Sequence, residues 1–490
     1  MFDDGGISFQ WWNTISNFIF MLNIVLAFFI LFKERKRASS LWAWILLLIF
    51  LPVVGFLLYL LFGQPHNKTK GRNANAYANP ELEARAEGQL EALESGTFTG
   101  QGRLPKDLQG LIKMQLKTNT APLSTDNRLQ IFNDGERKFD ALFEDIKRAE
   151  DHVHLEYYIL KNDGIGNRLM ELLAEKAKEG VKVLFLYDDI GSNALPRDFF
   201  EAFTEAGGRA SASLPSRLPW FNPRINYRNH RKIAVIDGAV GYIGGFNVGD
   251  EYLGEQVEMG YWRDTHLRIA GSAVHSMQHI FLKDWNEASV SHPVRYSQAY
   301  FPETGGEHGA AVQLVASGPD EPDDQIKYGL LKLIASAQST IRIQTPYFIP
   351  DESILDAIRV AALSGIDVAV MIPGKSDHLF VHDASLSFLE ELIDAGVRAY
   401  RYKNGFLHAK TMTVDGKALS VGSANLDTRS FSLNYEANTF IYDEATALEM
   451  DHIFAQDVKL SQRVTKEMFD ARTPFERGKQ RLARLFAPIL

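Results

Sequence analysis

One short pattern occurs twice in this chain, and it constrains the fold more than anything else in the sequence. His230-Arg231-Lys232 is followed by four residues and then Asp237; His408-Ala409-Lys410 is followed by four residues and then Asp415. Each copy runs on into a glycine-rich turn, with Gly244 and Gly422 at 14 residues and Asn247 and Asn425 at 17 residues from their histidines. A single His-x-Lys would say little. Two copies with matched flanks point to a duplicated unit whose two halves share one task.

The residues between each Lys and Asp, Ile233 to Ile236 and Thr411 to Val414, are mostly β-branched or apolar, which predicts strands. Alternate side chains of a strand share a face, so the His and Lys of each copy point the same way. Two copies brought together offer two imidazoles and two ammonium groups around one space. That set suits a phosphodiester: cations hold the anionic oxygens, one His attacks phosphorus and the other protonates the leaving oxygen.

The double motif resembles the phospholipase D superfamily, and the chain as a whole resembles the bacterial cardiolipin synthases within it. The resemblance implies a phosphohistidine mechanism with His230 as nucleophile and His408 as general acid, then base; the residues alone leave that order open. Lys232 and Lys410 are expected to clamp phosphate, and Asn247 and Asn425 to bind its oxygens. Asp237 and Asp415 are counted with the site by the family, although the pattern favours a structural role in the turn. In Asn434-Tyr435-Glu436, Glu436 lies 28 residues beyond His408 and resembles the family's His-orienting Glu. Its counterpart in the first half is Asp264, 34 residues beyond His230. No cofactor and no metal are expected, because two ammonium groups supply the charge a divalent ion would bring. His152, His154, His378 and His382 show no ligand spacing.

The formal charge of −9 argues against a nucleic-acid binder, which needs a basic face. The absence of Cys rules out disulfides. No residue from Gly5 to Phe32 is charged, and Leu41 to Phe62 is apolar apart from Pro52 and Gly55. Both runs are long enough to span a bilayer. Residues 1–64 are therefore expected to form a transmembrane hairpin with helices at about 12–32 and 41–62, in the bacterial cell membrane as a multi-pass protein. Basic residues flank both ends of the second run, so the positive-inside rule leaves the side of the catalytic part open.

Residues 65–125 read as a linker and lead-in with one charged helix near Pro80 to Glu94. From about Asn127 the chain alternates helix and strand, and does so twice. The first half predicts helices at Glu136–Glu150 and Ile165–Lys178 and strands at Val153–Tyr158 and Val181–Tyr187. The second predicts helices at Ile326–Ala337 and Glu352–Leu363 and strands at Thr340–Thr345 and Ile366–Ile372. The expected fold is α/β: two pseudo-symmetric phospholipase D-like halves, 126–305 and 306–460, with mixed sheets flanked by helices. Residues 461–490 form a basic, amphipathic tail that either packs as a helix on the domain or lies on lipid. The proline-rich loop before the first motif carries Trp220 and Phe221, adjacent aromatics suited to a lipid-facing lip or to a loop tucked on the core.

The resemblance implies a membrane phosphatidyltransferase that converts two phosphatidylglycerol molecules to cardiolipin plus glycerol. The expected partners are phosphatidylglycerol and membrane lipid, with no nucleic acid. The rival readings are a phospholipase D or phosphatidylserine synthase using another acceptor, a nuclease of the superfamily, and a scaffold without activity.

Overall fold

The structure is a computed structural model that describes residues 80–98, 106–215, 226–254, 259–304, 308–321, 323–375 and 380–485, together with parts of 14–59. The chain divides into two compact units: Met1–Thr69 with Ser216–Tyr227, and Lys70–Pro215 with Arg228–Leu490.

In the first unit the second apolar run is not one helix. Ala38–Phe50 ends at Leu51, and a new helix, Pro52–Leu58, starts with Pro52 in its first turn. A proline inside a helix removes one hydrogen bond and clashes with the preceding turn, which breaks the run there. Among the described residues no helix is long and apolar enough to cross a membrane. Most of the first apolar run, as well as Trp220 and Phe221, lies outside the described residues.

Among the described residues of the second unit, one 16-stranded sheet passes through both halves; its main path is a mirror list, and one short strand off that path, Arg228–Asn229, pairs with Asn434–Tyr442. Two central strands, Ser124–Phe132 and Ala310–Ser317, pair antiparallel. On the first-half side follow His266–Ala270, Val240–Gly244, Ile233–Ile236, His152–Tyr157, Lys182–Asp188 and Arg209–Ser213. The second half repeats this outward as Asn434–Tyr442, Ala418–Gly422, Thr411–Val414, Thr340–Gln344, Asp367–Pro373 and Arg398–Tyr402, with Ser461–Val464 added at its edge. In both halves the motif strand pairs antiparallel with the first strand of a parallel set. The predicted helices form with shifts of up to three residues at their ends: Gly135–Lys147, Gly164–Lys178, Gln325–Ser336 and Glu352–Leu363. Asp134, Asp163 and Asp351 cap three of them by accepting a backbone N–H of the first turn.

The closing Asp of each motif explains the local shape. Asp237 and Gly238 have φ of 50° and 64°, and Asp415 and Gly416 have 54° and 63°. Asp tolerates this left-handed conformation better than most residues, and Gly adopts it freely. The Asp237 carboxylate then accepts the N–H groups of Glu150, Asp151 and His152 at 2.8–2.9 Å. Asp415 does the same for Gln338, Ser339 and Thr340 at 2.7–2.8 Å. Each Asp ties the motif hairpin to the start of the neighbouring strand.

One segment differs from the sequence reading, and a second takes one of the two forms it left open. Within the lead-in, Gln109–Asn119 is a helix, and its Leu111, Ile112 and Leu116 join the second half's core with Ile326 and Leu330. Its outward face is polar enough to hide this periodicity in the sequence. At the C-terminal end, Pro474–Leu485 is a helix packed on Val381–Asp394 through buried Ala483 and the ion pairs Lys479–Asp383 and Arg484–Glu391. Phe475, Leu482 and Leu485 remain exposed.

Candidate active site

The two motifs meet at the seam between the halves, and the backbone brings them there crosswise. Arg228–Asn229 pairs parallel with Asn434–Tyr435 of the second half. Phe406–Leu407 pairs parallel with Trp262–Arg263 of the first. The His230 N–H donates to the Tyr435 carbonyl at 2.9 Å, and the His408 N–H to the Arg263 carbonyl at 2.7 Å. Each histidine is thus anchored immediately before the acid of the opposite half.

The side chains follow. His230 Nδ1 lies 3.0 Å from Glu436, and His408 Nδ1 lies 2.6 Å from Asp264 Oδ2. Along the sequence each acid follows the histidine of its own half; in space each serves the other. The strand that ends a half runs back along the seam, so its acid reaches across. A carboxylate can only accept, so the pairing favours a proton on Nδ1 and a lone pair on Nε2 of each neutral ring; at His408, Lys410 Nζ also lies 2.8 Å from Nδ1.

Each acid is held in turn. Glu436 accepts from Ser423 Oγ at 2.5 Å and from Asn434 Nδ2 at 3.1 Å. Asp264 accepts from the Thr265 N–H at 2.7 Å. At the position equivalent to Ser423 stands Gly245, where a Cβ would sit 2.0 Å from Asp264 Oδ1. Both acids are fully buried. Burial pushes the Glu436 carboxyl up, but His230, Lys232 and Ser423 outweigh it and hold it below the ordinary value. For Asp264, burial is likewise outweighed, by Lys410 and His408.

Lys232 and Lys410 are buried beside their histidines. Lys232 Nζ donates to the His230 carbonyl at 2.6 Å, and Lys410 Nζ to the His408 carbonyl. Lys410 Nζ also lies 3.9 Å from Asp264. Burial, with Lys410 adding repulsion against the pull of Glu436, brings Lys232 down to about 7. Burial and Lys410 lower His408 to about 4, against Asp264. His230 is lowered by burial too, with Lys232 and Lys410 opposing Glu436. The site therefore holds two neutral imidazoles near neutral pH, and removing an ion's hydration is the main cause.

The asparagines are less free than the spacing suggests. Asn247 accepts from the Ile159 N–H at 3.1 Å and donates to Tyr252 Oη at 2.7 Å. Asn425 is buried with its carbonyl oxygen unpartnered. His152 and His154 share Gln278 within an aromatic cluster that includes Phe281 and Tyr300. No cluster of His, Asp or Glu among the described residues has metal-holding geometry.

Sequence reasoning missed a layer behind the site. Arg231 pairs with Asp284 and donates from Nε to the Glu436 carbonyl at 3.2 Å. In the other half the motif has Ala409 instead, and Arg263 reaches Asp457 at 2.9 Å. Asp284 and Asp457 lie on equivalent helices, Ala273–Ala288 and Glu444–Lys459. The aromatic neighbours differ as well: Tyr158 lies 4.9 Å from the His230 ring, while Trp262 and Phe406 lie 5.4 and 5.9 Å from His408.

A family model described as "Cardiolipin synthase, PLD-like domain" matches residues 142–285 and 330–458. A second, "Phospholipase_D-nuclease N-terminal", matches 21–64. The chain is 48% identical to the major cardiolipin synthase of Bacillus subtilis (strain 168), over 98% of this chain and 99% of that one. It is 47% identical to cardiolipin synthase 2 of Staphylococcus epidermidis, over 96% of each. Among solved structures, phosphatidylserine synthase of Haemophilus influenzae Rd KW20 shares the fold at 14% identity, with a TM-score of 0.58 over 78% of this chain and 98% of that one.

Proposed function

The chain belongs to the cardiolipin synthase family of phospholipase D-like proteins, and from that premise we propose how its seam carries out the transfer. It is a phosphatidyltransferase acting on phospholipid, and it is membrane-associated. The reading here is that two phosphatidylglycerol molecules become cardiolipin and glycerol. His230 Nε2 attacks the phosphorus of the first lipid. The P–O bond to glycerol breaks, and that oxygen takes a proton from His408. Glycerol leaves, and His408, now neutral, accepts the proton of the second lipid's glycerol hydroxyl. That oxygen attacks phosphorus, the P–N bond breaks, and His230 is regenerated.

In this scheme Lys232, Lys410, Asn247 and Asn425 hold the non-bridging oxygens, Glu436 steadies His230 and Asp264 steadies His408. Asp237 and Asp415 keep the motif strands in place. His408 must be protonated for the first step. The arriving phosphate anion supports that by raising its affinity for a proton. The single observation that carries the mechanism is the crossed pair of His–carboxylate hydrogen bonds, one completed from each half. Residues 1–64 are proposed to anchor the protein as a hairpin, ahead of the halves 126–305 and 306–460 and the tail 461–490.

The test is incubation of the purified full chain with phosphatidylglycerol vesicles alone. Cardiolipin and glycerol in equal amounts are the expected products. Phosphatidic acid in their place would make the protein a hydrolase, and no turnover would overturn the transfer mechanism.

A further inference from the structure

The pseudo-twofold relation between the halves assigns every residue at the seam a counterpart, and at one place the counterparts have opposite chemistry. Arg228 stands two residues before His230, where Phe406 stands before His408. Arg429 stands four residues after Asn425, where Glu251 stands after Asn247. On the His408 side, Phe406 is buried against Trp262 at 4.8 Å, and Glu251 is buried in an ion pair with Lys161 at 2.6 Å. On the His230 side both positions are arginines and both are partly exposed. The two arginines are neighbours through the fold. Arg228 pairs with Asn434, and Arg429 lies on the short helix Thr428–Ser432 that leads into that strand.

We propose that Arg228 and Arg429 form a second phosphate subsite that takes the phosphate of the acceptor lipid. The proposal rests on the function given above, in which donor and acceptor are both anionic. The reacting phosphate already has Lys232 and Lys410. A second pair of cations is needed only when the acceptor also carries a phosphate. Arg228 and His230 are alternate residues where the short strand Arg228–Asn229 ends, so their Cα atoms stand roughly 6.6 Å apart along the chain. That separation is comparable to the span of a three-carbon glycerol bridge between two phosphates.

The surroundings favour an anion. Burial lowers the Arg228 guanidinium from its ordinary value, and Arg429 adds like-charge repulsion, against Asp188 and Tyr158. Asp188 is buried and already accepts the N–H groups of Ile190, Gly191 and Asn229 at 2.8–3.0 Å. Tyr158, which lies 4.9 Å from the His230 ring, is hydrogen-bonded to Arg228 and feels the charge of Arg429 as well. Guanidinium groups suit this task because their planar donors match phosphate oxygens.

The experiment compares two acceptors with one donor. Full-length protein is given phosphatidylglycerol vesicles, and cardiolipin formation is measured. In parallel, incorporation of labelled free glycerol into phosphatidylglycerol is measured; that exchange uses the same phosphatidyl-enzyme but an acceptor without phosphate. Arg228→Gln and Arg429→Gln should each lower cardiolipin formation by about tenfold, the size expected for a charge-assisted hydrogen bond, and slow exchange far less. Arg228→Lys and Arg429→Lys should recover part of the loss. Equal loss in both reactions, or no loss in either, overturns the subsite. A wild-type protein that makes no cardiolipin overturns the underlying function instead.

Discussion

The His230 and His408 sides of the seam are built on one scaffold and furnished differently. His230 rests on a longer acid, Glu436, which Ser423 and Asn434 hold. His408 rests on a shorter one, Asp264, pressed against Gly245. Behind His230 the guanidinium comes from the motif itself, Arg231; behind His408 it comes from the partner strand, Arg263. Beside His230 stands Tyr158, and beside His408 stand Trp262 and Phe406. Duplication delivers two equal histidines. In the proposed mechanism, these unequal supports are what would let one serve as nucleophile and the other as acid and base.

The largest expected effect tests whether the two sides depend on each other. His230→Ala and His408→Ala should each lower turnover by at least about 10⁴-fold with the fold retained, as for other concerted catalytic groups. Circular dichroism and a lipid-transfer assay check both halves of that statement. The comparison is sharpened by trapping. A labelled phosphatidyl group, mapped under alkaline conditions, should sit on His230. Label on His408 would exchange the two roles.

Next comes the crossed wiring. Glu436→Gln and Asp264→Asn should each cost about 10²–10⁴-fold, the range seen when a histidine loses its orienting carboxylate. Glu436 and Asp264 each raise the proton affinity of the histidine they touch. Removing Glu436 should therefore lower the pKa of His230 further and leave His408 little changed, and removing Asp264 should do the reverse. Titration of nitrogen-labelled histidines by NMR reads this directly. Coupling within one half rather than across would break the comparison.

That wiring also marks where the sequence stops being legible. The His-Lys pairs were visible because their spacing is a local property of a strand. Two helices and two strands of each half are legible for the same reason, whereas the helices Ala273–Ala288, Val381–Asp394 and Glu444–Lys459 and the strands Ser124–Phe132, Ala310–Ser317 and Asn434–Tyr442 are not part of that reading. His230 and Glu436, however, are 206 positions apart, and His408 and Asp264 are 144 apart. Which acid meets which histidine depends on strands pairing across the seam, and no local pattern encodes that. The roles of Ser423 and Gly245 were hidden likewise, since each looks like an ordinary turn residue. The helix Gln109–Asn119 escaped because its apolar positions are few, and they are buried by the second half, far along the chain.

Exchanging the turn residues probes the two supports with a smaller effect. Gly245→Ser places a Cβ on the Asp264 carboxylate, so Asp264 or the turn must shift. Overpacking of this kind costs about 1–3 kcal/mol, and denaturant unfolding should show it. Ser423→Gly removes one hydrogen bond to the Glu436 carboxylate and the acceptor of the Ala437 N–H, so it should slow turnover by roughly tenfold and cost about 1–3 kcal/mol of stability. If Gly245→Ser were harmless to stability and Ser423→Gly harmless to turnover, the two sides would not be supported in the way drawn here.

The smallest effect concerns Lys232, which burial brings down to about 7. Below that pH it is a cation and holds phosphate; above it the clamp loses its charge. Bound phosphate restores the proton, so the loss falls on capture of substrate rather than on turnover. KM for lipid should therefore rise severalfold as pH increases through about 7, while kcat changes less. Lys232→Arg keeps its charge throughout and should flatten that rise, even if its bulk lowers the overall rate. The folded-state value lies below the ordinary 10.5, so the unfolded chain binds the extra proton between those two values. The contribution of Lys232 to stability must then increase with pH across that window, opposite in direction to its contribution to substrate capture. Paired unfolding and KM measurements at pH 6 to 9, on wild type and Lys232→Arg, separate the two. A KM that is flat in the wild type would mean that Lys232 is not the clamp.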